Sequence, residues 1–134
     1  MNDKIFVDTN ILVYSVANDS QKRIISDELL IKNDIVVSSQ VINEFVSVTL
    51  RKKILPIEKI VEYSKQFMQV FNMVLITTKI IKSALNIMIK YKFSYWDSLI
   101  LAAALESQCE LLYSEDLQDG QCIDNRLEFS KKSF

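Results

Sequence analysis

The chain has 134 residues, 49% of them hydrophobic and 25% charged, with one glycine and one proline; this describes one compact domain with short connections and excludes an extended disordered chain. Its 16 basic and 17 acidic residues leave a formal charge of −1, so the molecule exerts no general attraction on nucleic acid or an anionic membrane. The absence of histidine excludes serine–histidine and cysteine–histidine nucleophiles, histidine zinc sites and paired-histidine nuclease chemistry.

Along the chain, Lys4-Ile5-Phe6-Val7 is an apolar run suited to a buried strand, and it stops at Asp8. Ile11, Leu12, Val13, Tyr14 and Val16 suggest a buried first helix over 9–17, with a strand the alternative because periodicity alone does not separate the two, and apolar residues at 24, 25, 29 and 30 predict a second helix over 21–32. Ile35-Val36-Val37-Ser38 reads as the second strand. A helix over 39–54 follows, burying Val41, Ile42, Phe45, Val48 and Leu50 and ending in the basic run Arg51-Lys52-Lys53. Pro56 and Glu58 open a helix to about residue 72, with Ile60, Val61, Tyr63, Phe67, Val70 and Phe71 as its apolar side. The third strand is expected over 73–76, a helix over 79–91 capped by Thr78, a helix over 95–107 capped by Ser94, and a fourth strand at ELLYS, 110–114.

Short strands alternating with helices predict one domain over residues 1–134, a three-layer α/β/α sandwich around a mainly parallel sheet of four to five short strands. Ligands of such sheets bind beyond the carboxyl ends of the strands, where the strand order switches direction. Asp8 and Asp116 both fall just past a predicted strand end.

Cys109 and Cys122, together with a Met-Asn-Asp start and no apolar signal segment, are expected of a reduced, cytoplasmic protein, with both thiols as small core fillers. The longest apolar stretch, LILAAALE, falls far short of the ~20 residues of a membrane span, so no transmembrane helix is expected. The very apolar helices 57–72 and 79–91 carry more apolar surface than one small domain covers, which predicts a homodimer.

Four acids occupy positions awkward for surface charges: Asp8 after IFV, Glu44 inside VINEFVSV, Asp97 inside SYWDSLILAAA and Asp116 after LLYSE. Glu44 shares a helix face with Val41 and Val48, and Asp97 with Ile100 and Leu101. Buried carboxylates need hydrogen bonds, a counter-charge or a metal, and Mg²⁺ or Mn²⁺ serves several carboxylates at once. Each acid also has a plainer reading. Ser94-Tyr95-Trp96-Asp97 fits the S-x-x-[DE] capping pattern, Asp8 could only cap the next helix, Glu44 could point to solvent and Asp116 could only shape a turn.

The blocks FVDTNIL, SSQVINEF, FSYWDSLILAAA and LYSEDLQDGQ, in that order, resemble PIN-domain ribonucleases, and the set is similar to the VapC-type toxins of bacterial toxin–antitoxin pairs. The resemblance runs from Ile5 to Ile123. It implies a metal-dependent endoribonuclease whose acidic site is Asp8, Glu44, Asp97 and Asp116, with Thr9, Asn10 and Ser114 supporting and Asp119 an additional nearby acid. Asp8 and Asp97 would be the principal ligands of Mg²⁺ or Mn²⁺, and cleavage would leave a 5′-phosphate and a 3′-hydroxyl. The resemblance also implies a cognate antitoxin, VapB-like or another small DNA-binding protein, and supports the homodimer. The tail LEFSKKSF departs from the closing strand expected of the family. An RNA backbone would need a basic rim, for which Arg51, Lys52, Lys53, Lys79 and Lys82, with Lys90 and Lys92, are candidates.

The rival readings are an aspartyl phosphatase or phosphotransferase, against which Asn10 stands where a second aspartate is required, and a receiver domain, against which there is no acidic pair after the first strand. A catalytically silent PIN-like module that binds RNA or metal without turnover is the remaining alternative.

Overall fold

A computed structural model of the protein describes residues 4–114, 122–123 and 127–130. In chain order the elements are β1 (Lys4–Val7), α1 (Thr9–Val16), α2 (Ser20–Lys32), β2 (Asp34–Ser38), α3 (Ser39–Arg51) and α4 (Ile57–Val70). They continue with β3 (Asn72–Val74), α5 (Thr78–Tyr91), α6 (Tyr95–Glu106), β4 (Leu111–Tyr113), β5 (Cys122–Ile123) and β6 (Leu127–Ser130).

The strands form one sheet in the order β3-β2-β1-β4-β6-β5. Five are mutually parallel, and β5 closes the edge antiparallel to β6. This is the expected three-layer α/β/α architecture. The short runs IFV and IVV are apolar throughout because parallel strands in such a sheet are covered on both faces, and Ile5 to Val7 and Ile35 to Val37 are all buried. Helices α1 to α4 pack on one another, and α5 packs on α6. The connections β1 to β2 to β3 advance in one direction across the sheet, and the connection to β4 returns past β1 in the other, so right-handed crossovers place the two helix groups on opposite faces. Helix α6 is buried from Ser98 to Leu105, which explains an all-apolar LILAAAL run with no polar stripe. The switch in direction falls between β1 and β4.

Several sequence-based boundaries are corrected. Helix α3 ends at Arg51 rather than at residue 54, because Lys53 turns left-handed at φ 52° and closes a Schellman motif. There Lys53 N–H donates to Leu50 O at 3.2 Å and Ile54 N–H to Thr49 O at 3.1 Å. A chain with one glycine carries this stop on a lysine, so no sequence punctuation announces it. Strand β3 ends at Val74, paired with Ser38 where β2 itself stops; Ile76 N–H then donates to the Ser39 hydroxyl. Thr77 rather than Thr78 caps α5, accepting from Ile80 N–H at 3.3 Å. Leu50, Val61 and Val70 are exposed rather than buried. The tail does supply a closing strand: Leu127 is fully buried, and β6 runs parallel to β4 with Tyr113 opposite Ser130.

Cys109 is buried, as expected of a core filler, and burial pushes its thiol pKa up, against smaller lowering by the Ser107 hydroxyl and the Lys4 charge. The side chain of Cys122 lies outside the described residues. No helix among the described residues is long and apolar enough to cross a membrane.

Candidate active site

The register of the sheet builds the first part of the site. Val7 lies opposite Tyr113, so the next residues of the two strands, Asp8 and Ser114, emerge side by side at the switch point. Asp8 N–H donates to Tyr113 O at 3.1 Å, extending the ladder by one bond. The Asp8 carboxylate accepts from Thr9 N–H at 2.6 Å on Oδ1 and from the Ser114 hydroxyl at 2.9 Å on Oδ2. The capping role is therefore real, since Asp8 is the N-cap of α1, but it engages one oxygen and leaves the other to the neighbouring strand. Asp8 and Ser114 are both buried, at 7% and 2% exposure.

Helix α3 supplies the second wall. Ser38, the last residue of β2, caps it directly by accepting from Val41 N–H, so strand passes into helix without a loop and the orientation of α3 is set by the sheet. Gln40, Glu44, Ser47 and Arg51 recur at helical spacing and form a polar stripe beside the buried Val41, Ile42 and Phe45. Glu44 does not point to solvent. Its Oε2 accepts from the Thr9 hydroxyl at 3.0 Å and its Oε1 from Gln40 Nε2 at 3.1 Å. Gln40 Nε2 also donates to Trp96 O at 3.2 Å, tying α3 to the start of α6.

Helix α6 supplies the third acid. Ser94 accepts from Asp97 N–H at 3.1 Å, so the serine half of the capping pattern forms. The reciprocal half does not: among the described residues, the Asp97 carboxylate meets no hydrogen-bond donor, and it faces the same cleft as Asp8 and Glu44. That cleft, about 510 Å³, is also bordered by Thr9, Asn10, Tyr14, Arg51 and Lys52.

The structure therefore brings together Asp8, Thr9, Asn10, Glu44 and Asp97 around one cavity, with Ser114 behind Asp8. Asp116 and Asp119 lie outside the described residues. Of the basic candidates, Arg51 and Lys52 border the cleft, whereas Lys53 is taken up in the turn after α3. Lys79 and Lys82 are on α5; Lys79 pairs with Glu106 at 3.1 Å and lines, with Lys90, a separate groove between α5 and α6. Lys92 is the left-handed cap of α5, at φ 64°. Lys53, Lys79, Lys82, Lys90 and Lys92 thus do not line the acidic cleft. Gln40 and Trp96 are cleft residues that the sequence reading passed over; the four-residue spacing of Gln40 and Glu44 on α3 was the available signal for the first.

The donor chemistry suits a hard cation. Every acidic ligand offered is oxygen, and Asn10 Oδ1 and Gln40 Oε1 are buried acceptors that meet no donor among the described residues. Among the described residues no three acids or thiols group closely enough to hold an ion on their own. Mg²⁺ does not require that, because it usually keeps several waters and binds through one or two carboxylates plus substrate phosphates.

The PIN domain profile matches residues 5–118. No curated protein matches the sequence significantly. Among solved structures, VapBC2 from Rickettsia felis bound to a DNA fragment from its promoter is similar at a TM-score of 0.70 and 18% identity, with 97% of this chain and 99% of that chain covered. The DNA-bound VapBC of Salmonella typhimurium is similar at 0.69 and 15%, with coverage of 96% and 98%. Mycobacterium tuberculosis VapC20, a sarcin-ricin loop cleaving toxin, is similar at 0.68 and 15%, with coverage of 81% and 86%. At these identities the structures share the fold, and the profile spans most of the sequence: the chain belongs to the PIN domain family.

Proposed function

We propose that the chain is a divalent-metal-dependent endoribonuclease, the toxin of a toxin–antitoxin pair, acting in the cytoplasm as a single domain. The observation that carries this reading is the convergence of Asp8, Glu44 and Asp97, from a strand end and two helices, on one cleft at the switch point of a PIN fold. A bound Mg²⁺ or Mn²⁺ ion supplies acidified water and offsets charge on the phosphodiester.

The protein's own groups do the rest. Thr9 N–H and the Ser114 hydroxyl hold the Asp8 carboxylate in one orientation, and the Thr9 hydroxyl and Gln40 amide do the same for Glu44. Asp97 faces the cleft with its lone pairs uncommitted among the described residues, which suits a principal ligand beside Asp8. Asp116 completes the set in this reading, and Asp119 stands near it. Arg51 and Lys52 at the mouth counter the repulsion between the acids and an RNA backbone. The products carry a 5′-phosphate and a 3′-hydroxyl.

Two partners belong to the proposal. The similar structures include VapBC complexes, which supports an antitoxin whose segment covers the cleft and offers a basic side chain to the acids. Exposed Ile81, Leu85 and Ile89, one helical turn apart on α5, and Ile57, Val61 and Met68 on α4 support a homodimer.

The test is cleavage of RNA by purified protein with Mn²⁺ or with chelator. Wild type should cut only with the ion, and Asp8→Asn and Asp97→Asn should fall to the chelated level with the fold retained. Wild-type protein that binds RNA and Mn²⁺ but leaves the strand intact would instead establish a silent PIN-like module.

A further inference from the structure

Trp96 stands where burial does not explain it. It occupies the first turn of α6, immediately before Asp97, and is 63% exposed, in a helix whose next turns are buried. Exposed tryptophan is uncommon away from binding surfaces, because its large apolar face gains from being covered.

Trp96 lines two cavities. One is the acidic cleft; the other, about 710 Å³, adjoins it and shares Gln40, Glu44, Ser47, Arg51 and Trp96. The second cavity adds the buried Leu99 and half-buried Ile76 as an apolar floor, with the exposed Asn43 amide at its rim. An apolar floor, a flat aromatic wall and an amide are the groups that a nucleobase uses: two π-faces and a polar edge. The platform is also held still. Trp96 O accepts from Gln40 Nε2 at 3.2 Å, and its ring meets Tyr95 edge-on at 5.3 Å and 65°. Arg51 borders both cavities, so a strand leaving the acids for the second cavity passes a guanidinium suited to its phosphate.

We propose that Trp96 is a positioning residue that stacks an unpaired base next to the cleaved phosphodiester, making the second cavity a base subsite. This rests on the nuclease reading for the identity of the cleaved bond. The stacking itself requires only that single-stranded RNA binds. Duplex RNA would not satisfy the site, because its bases are stacked on one another.

The protein has one tryptophan, so its intrinsic fluorescence reports on Trp96 alone. The Asp8→Asn protein, in which cleavage is suppressed, is titrated with a ten-nucleotide RNA of mixed sequence and with the same strand in a duplex. The single strand should quench the fluorescence saturably and the duplex should not. In binding measured by anisotropy of a labelled strand, adding Trp96→Ala should weaken affinity about tenfold, and Trp96→Phe should recover most of the loss. In the otherwise wild-type enzyme, Trp96→Ala should raise KM by a similar factor and change kcat little.

Quenching by single-stranded RNA without cleavage by wild type would leave the platform standing and overturn the nuclease reading. Cleavage by wild type with unchanged fluorescence and the same KM in Trp96→Ala would overturn the platform alone. Fluorescence unmoved by RNA but shifted by the protein encoded next to this one would overturn it in favour of a protein contact.

Discussion

Ser114 and Asp8, 106 positions apart in sequence, are joined by a hydrogen bond of 2.9 Å between hydroxyl and carboxylate. The bond follows from the parallel pairing of β1 with β4, which sets Val7 opposite Tyr113 and leaves the next residue of each strand facing the other at the sheet's carboxyl edge. It orients a buried acid from behind while its helix cap holds it from the side. Ser114→Ala should therefore lower stability by about 1.5–3 kcal/mol, as removal of a hydrogen bond to a charged group does. Denaturant titration checks this, and RNA cleavage should weaken without being abolished. Unchanged stability would show that the hydroxyl does not restrain Asp8.

Thermal melts separate a metal ligand from a cap. Mn²⁺ at ~100 times its dissociation constant should stabilise wild type by about 2.7 kcal/mol. Asp8→Asn and Asp97→Asn should lose most of that rise, because each keeps side-chain size and removes charge. Ser94→Ala should lower stability by about 1 kcal/mol through the lost cap and keep the Mn²⁺ response. Equal Mn²⁺ shifts in all four proteins would remove Asp8 and Asp97 from the metal site.

Gln108 ends α6 in a left-handed conformation, φ 61°, with its N–H bonded to Leu105 O and the next N–H, of Cys109, to Ala104 O. A side chain at that φ costs roughly 1 kcal/mol that glycine does not pay. Gln108→Gly should stabilise the protein by about 0.5–1 kcal/mol, read as a higher denaturation midpoint at constant m-value.

Burial raises the pKa of the Cys109 thiol, so the folded state holds its proton more tightly than the unfolded chain. Its contribution to stability is complete below the ordinary thiol range, near pH ~8.5, and is lost as pH climbs through the raised folded value. Urea melts from pH 7 to 10 should show an alkaline decline that is shallower in Cys109→Ala. Alkylation of Cys109 in the native protein at pH 8 should be slow and should accelerate on unfolding; rapid native labelling, read by mass spectrometry, would contradict its burial.

The stripe Ile81, Leu85, Ile89 on α5 gives the homodimer a specific test. Light scattering at micromolar concentration should report a dimer for wild type and a monomer for Leu85→Lys, with the circular dichroism of the helices unchanged. A wild-type monomer would sink the proposal.

What the sequence determined by itself is what short-range physics controls. Helical periodicity placed α3, the serine before Tyr95 marked and capped the start of α6 as the S-x-x-D pattern predicts, and the apolar runs IFV and IVV marked strands covered on both faces. The blocks around Asp8, Glu44, Asp97 and Asp116 carried the likeness to the PIN family that residues 5–118 then matched. The stop of α3 was invisible: the chain leaves it through Lys53, a residue type that ordinarily continues a helix.

Only the tertiary structure decided which side chains meet. Strand order and register, set by contacts distant in sequence, put Ser114 behind Asp8 and the Thr9 hydroxyl on Glu44. The direction in which each helix leaves the sheet turned Arg51 and Lys52 toward the acids and carried Lys79 and Lys82 elsewhere. The same packing left Trp96 uncovered beside Asp97, at a position to which the sequence had given no role. Local propensity acts over a few residues, whereas a site is assembled where strands and helices remote in sequence converge, so its residue types were legible beforehand and their partners were not.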